Sequence, residues 1–107
     1  MTMHLVDLDP VWLFKDGRRI GFTFISPNHA TTRMSCFPDP PSTSDQIDLF
    51  EAAHGERSLV APCNEAKHWS IAGGIEISTF ETMTVKPSLD GGAAGLWHGF
   101  ITNGEIR

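Results

Sequence analysis

The stretch VWLFKDGRRIGFTFI, residues 11–25, constrains the fold more than any other part of the chain. Asp16-Gly17 separates two apolar runs, and an Asp-Gly pair suits a two-residue turn in which both positions take positive φ. After the turn, Ile20, Phe22 and Phe24 alternate with Gly21, Thr23 and Ile25. A period of two is the signature of a strand with one buried face. The pattern predicts a hairpin made of residues 11–15 and 18–25.

Turn chemistry follows in Ser26-Pro27-Asn28-His29, where proline sets φ and asparagine tolerates the left-handed region. Residues 31–37 read as a third strand with Thr32, Met34 and Cys36 on one face. It stops at PDPP, because three prolines in four residues cannot hold a ladder. STSDQIDLFEAAHG is the one helix signal. Ser42 or Ser44 caps it, Asp45 and Asp48 sit near the positive end of the dipole, and Gly55 ends it. Ile47, Phe50 and Ala53 share its predicted inner face, with Leu49 adjoining.

The remaining segments read as short strands. RSLVAPC is one, ended by Pro62. HWSIAGGIEIS holds two runs around Gly73-Gly74. In TFETMTVKPSLD, Met83 and Val85 point inward before Pro87 breaks the strand. LWHGFI, then Asn103-Gly104, then EIR, predict a closing hairpin. Many short strands and one helix imply a mainly β single domain over residues 1–107: a small antiparallel sheet or sandwich, with α+β as the neighbouring class.

Composition limits function. The net charge of −5 offers no electrostatic footprint for a nucleic acid. No run of 18 apolar residues is present to span a membrane. Asp7 and Asp9 interrupt the apolar run that an export signal needs, so a cytoplasmic protein is expected, with Cys36 and Cys63 as thiols. The five histidines include no pair at i, i+4 with a glutamate between, and there is no Gly-x-Ser-x-Gly elbow or phosphate-binding loop. Gly91 to Gly95 read as a permissive surface loop. Cys63 and His68 are a nucleophile and a base in name, but their spacing on a loop does not pair them.

Residues 79–106, TFETMTVKPSLD…LWHGFITNGEI, resemble a family of small bacterial and phage proteins of unknown function. Its members read Thr-Leu-Thr-Leu-x-Pro-Ser-Ile, a Gly-rich loop, then Trp-His-Gly-Phe-Ile-x-Asn-Gly-x-Val. The likeness is weak over the first strands and nearly absent over 40–65. Family members often carry Cys-Pro-x-Cys after the first hairpin and a Cys before the Trp-His, a set like a Cys/His zinc site. Those positions fall on Ser26, Pro27, Asn28 and His29, and on Leu96, Trp97 and His98. Only His29 and His98 remain able to ligate.

The expectation is therefore a decayed metal site with no cofactor. His98 is then a core-edge imidazole held by a backbone carbonyl, against Phe100, and Trp97 or Phe100 fills one end of the sandwich. Asn103-Gly104 turns the chain. The resemblance implies a phage, prophage or mobile-element accessory protein that binds a protein partner, an inhibitor of a host defence system being one form. The alternative is a metal-assisted hydrolase holding zinc through His29, His98 and a third ligand among His68, Cys36 or Asp90.

Overall fold

The computed structural model describes residues 2–55, 59–92 and 95–107. Among these, in chain order, are β1 (Met3–His4), a 3-10 turn (Leu5–Leu8), β2 (Val11–Lys15), β3 (Arg18–Ile25) and β4 (Arg33–Cys36). Helix α1 (Thr43–His54) follows, then β5 (Ser70–Ile71), β6 (Val85–Asp90), β7 (His98–Thr102) and β8 (Glu105–Ile106). The domain is mainly β. One antiparallel sheet has the order β2-β3-β4; the other has β1-β8-β7-β6-β5.

The predicted first hairpin is present at the predicted bounds. Asp16 and Gly17 take φ of 54° and 78°, as their turn requires. Leu13 pairs with Gly21 but Phe14 with Arg19, so Ile20 has no opposite number and β3 carries a bulge. The expectation of one buried face is too modest. Phe22, Thr23 and Phe24 are all fully buried, because β3 is the central strand of three and is covered on both sides.

Alternation sorts the two sides. Phe22 and Phe24 face the five-stranded sheet, where Phe22 meets Phe80 and Phe24 meets Trp97 edge-on. Met34 and Cys36, opposite them in β4, share that face. Thr23 faces the other way, toward the helix, and Phe37 packs on Phe50 there. The result is three layers: α1, the three-stranded sheet and the five-stranded sheet. Each fully buried Phe contributes about 1.5–3 kcal/mol through its removal from water.

The helix starts where Ser42, not Ser44, accepts from the Asp45 N–H at 3.2 Å. Its inner face differs from the expected one. Gln46 and Phe50 are buried and Leu49 is half-buried, while Ile47 is 43% exposed and Ala53 lies outside. Gln46 takes a core position because its amide is saturated. It donates to Pro41 O at 3.0 Å and Cys63 O at 3.2 Å, and accepts from Cys63 N at 2.7 Å. A buried polar group is tolerated on those terms.

Four other expectations are corrected. The 31–37 strand is confined to Arg33–Cys36. Of RSLVAPC, Arg57 and Ser58 lie outside the described residues, and Val60 makes a single parallel bridge to Arg33 in place of a full strand. The run after Gly73-Gly74 is a series of turns. Pro87 does not end β6, because the ladder is irregular between Val85 and Leu89 and asks no N–H of it.

Candidate functional site

The closing Trp97-His98-Gly99 segment is built as one piece. Trp97 and Gly99 point inward from β7, and the indole folds back over Gly99 so closely that a Cβ there would lie 2.4 Å from a ring carbon. His98 and Phe100 point outward. His98 is exposed, with Nε2 at 3.2 Å from the Ser88 hydroxyl; it is not a core-edge group held by a carbonyl. Phe100 is 49% exposed, so it does not fill the sandwich end; Trp97, half-buried against Phe24, does part of that work. Asn103 and Gly104 form the expected turn, with φ of 49° and 75°.

The Ser26–His29 and Leu96–His98 segments do meet. The Trp97 N–H donates to Ser26 Oγ at 3.2 Å, and the Asn28 amide donates to Gly95 O at 3.4 Å. Ser26 in turn donates to Asn28 Oδ1 at 2.7 Å. Hydrogen bonds through Ser26 and Asn28 tie the loop to the start of β7. His29 lies exposed in that loop near Thr31, and His98 lies on the outer face of the large sheet. His68 is exposed beside Asp39 and Pro38 O, and Cys36 is fully buried. Among the described residues, no three His, Cys, Asp or Glu side chains come together as a metal-binding group.

Both cysteines are free thiols. Cys63 sits among Ser35 atoms, its S–H donating to Ser35 O at 2.9 Å with Ser35 Oγ at 3.3 Å. Burial pushes its thiol up to about 11, and burial likewise raises Cys36. Neither is poised as a nucleophile at neutral pH, and His68 is not a partner to Cys63.

Sequence reading missed a polar cluster between β3, β4 and the end of α1. Arg33 Nε donates to the buried Thr23 Oγ1 at 3.1 Å, and Thr23 Oγ1 lies 2.7 Å from His54 Nε2. Arg33 also donates to the Asp9 carboxylate at 3.2 Å and to the Asp9 carbonyl. An arginine cannot accept, so the Thr23 hydroxyl oxygen accepts from Arg33 Nε, and the same hydroxyl is hydrogen-bonded to His54 Nε2. Burial, then the neighbouring Arg33, hold the imidazole below its ordinary value, with Asp9 opposing. A hydroxyl hydrogen-bonded to an imidazole has the form of an activated nucleophile. Thr23 has no exposed surface, however, so the group pins α1 to the sheet and does not meet a substrate.

The surface offers a different feature. A cleft of about 410 Å³ opens between the first hairpin, the prolyl segment 38–41 and the turn at Ile75. Ile20, freed from the ladder by the β3 bulge, and Ile75 give it an apolar floor; Pro38, Pro40 and Pro41 form one wall. Lys15 and Arg19 stand on the rim. Arg19 is fixed by donating to Ser78 O at 3.0 Å and by lying 4.2 Å over the Trp12 ring, which itself stacks on Phe80. Ile77, two residues beyond Ile75, is 75% exposed. The volume is that of a ligand-binding cleft, and its lining carries two cations and one carboxylate, Asp39. Asp16-Gly17 shapes this site by turning the hairpin that carries both cations.

No protein-family model, curated protein or solved structure matches the chain. Among the described residues, no helix is long and apolar enough to cross a membrane.

Proposed function

We propose that this chain is an accessory protein of a phage or other mobile element, acting in the cytoplasm by binding a protein. The genomic setting is supported by the resemblance of residues 79–106 alone. The binding mode is supported by the cleft: an apolar floor of Ile20 and Ile75, a rigid prolyl wall and a lining in which Lys15 and Arg19 outnumber Asp39 fit an apolar segment with an acidic flank. Ile77, two residues beyond Ile75, adds exposed apolar surface in the same turn segment. Prolines and a twice-anchored arginine lose little freedom on binding, which favours affinity from a small surface. Inhibition of a host defence protein is one form this activity takes.

The test is affinity capture from lysate of the bacterial host, run in parallel with wild type and Ile77→Asp. Ile77 is mostly in solvent, so the variant should melt like wild type. A protein captured by wild type and lost with Ile77→Asp or Ile75→Asp supports the reading. Capture indifferent to both substitutions sinks it.

A further inference from the structure

The two sheets have four edges, and three of them are screened. β1 and β5 are two residues long. The outer side of β4 is occupied, since Arg33 N donates to Leu59 O at 2.8 Å and Ala61 N to Arg33 O at 2.9 Å. The fourth edge, β2, runs for five residues, VWLFK, and among the described residues nothing pairs with its outer side. Natural proteins shorten, kink or cover such edges. Here the bulge falls on β3, so β2 itself stays regular and able to pair.

We propose that the occupant of this edge is β2 of a second copy, paired antiparallel about a two-fold axis through Leu13, so that the two small sheets join as one six-stranded sheet. Directly opposite residues then sum to a fixed register: Leu13 meets Leu13, Phe14 meets Trp12 and Lys15 meets Val11 of the second copy. Phe14 is 55% exposed, a large ring standing in water beside the half-buried Trp12 on the same face. The dyad brings each Phe14 against the other copy's Trp12, and such aromatic cross-strand pairs stabilise a sheet. Charge selects the same orientation. Asp7 and Asp9 precede β2; Lys15 ends it, and Asp16, Arg18 and Arg19 follow, so that end is net positive. Antiparallel pairing sets the acidic end of one copy toward the basic end of the other, whereas parallel pairing sets like against like. Pro10, with no N–H to give, bounds the paired stretch. The contact is isologous, so it closes at two copies.

The test has two arms. Sedimentation of wild type over a wide concentration range is expected to show a monomer–dimer equilibrium, and Phe14→Glu is expected to weaken it by roughly tenfold or more, through a charge set against an apolar ring. Circular dichroism checks that this variant is folded. The second arm needs no disruptive substitution. A mixture of Val11→Cys and Lys15→Cys chains is expected to form an 11–15 disulfide across copies, and neither variant alone is expected to cross-link. Native Cys36 and Cys63 are buried and do not compete. A wild type that stays monomeric throughout overturns the proposal. So does a dimer that gives no 11–15 cross-link, or one that folded Phe14→Glu leaves intact.

Discussion

Gly17 and Gly104 occupy the same position in two turns of the same kind, with φ of 78° and 75°. Around Gly17 nothing lies within 4 Å of where a Cβ would stand; at Gly104 that Cβ would be 2.0 Å from the Glu81 carbonyl oxygen. Gly17→Ala therefore meets only the conformational penalty of a left-handed residue, about 1–2 kcal/mol. Gly104→Ala meets the same penalty and must also push two backbones apart. The Gly104 N–H donates to Met83 O and its carbonyl accepts from Leu5 N, both at 2.8 Å, so the shift strains both bonds. Each is worth about 0.5–1.5 kcal/mol net, and overpacking adds about 1–3 kcal/mol. The expected total is about 3–8 kcal/mol. Thermal melts followed by circular dichroism decide, since 1 kcal/mol moves the Tm of a domain this size by about 4–8 °C. Gly17→Ala should fold and melt modestly lower. Gly104→Ala should melt at least about twice as far below wild type. Equal shifts for the two would refute the view that packing against Glu81, and not turn geometry alone, requires glycine there.

The His54 imidazole is held below its ordinary value of 6.5, so between the two values the unfolded chain binds more protons. Its stabilising contribution is full above that value and is lost as pH falls through the lower folded-state pKa; urea midpoints against pH should show the fall, and His54→Gln should flatten it. Thr23→Val strands Arg33 Nε and His54 Nε2 at once and is expected to cost about 1–3 kcal/mol, read from chemical denaturation. Thiol titration should count both Cys36 and Cys63 in denatured protein without reductant, with slow reaction in the native state because burial raises both thiols; a denatured count of zero would contradict the free-thiol assignment. Gly99→Ala should displace the Trp97 ring and shift its fluorescence, whereas His98→Gln should leave the melt near wild type because the imidazole is exposed and its hydrogen bond is to the Ser88 hydroxyl. Melts with and without EDTA should coincide; stoichiometric zinc with a large drop on chelation would revive the metal reading through His29 and His98.

Local chemistry was legible in the sequence. Asp16-Gly17, Asn103-Gly104, the Ser42 cap and the Phe22/Phe24 alternation are each set by interactions within a few residues, so their patterns predict hairpins, a helix start and a mainly β domain without knowledge of the rest. What escaped depends on which elements come to lie together. Gln46 reads as a surface residue of a helix, and only the arrival of Cys63 and Pro41 makes it a core residue in place of Ile47. Thr23 reads as the solvent side of a strand, and only β4 beside it and α1 laid across that face give it Arg33 and His54 as partners. Pro87 reads as a strand end, and only the irregular register opposite β7 lets it stay inside. The cleft joins Lys15 to Pro41 and Ile75, residues far apart along the chain, and no window on the sequence contains them together. Periodicity reports the faces of an element, whereas burial, pairing and charge environment belong to whatever covers those faces, and that is decided by the packing of the whole chain.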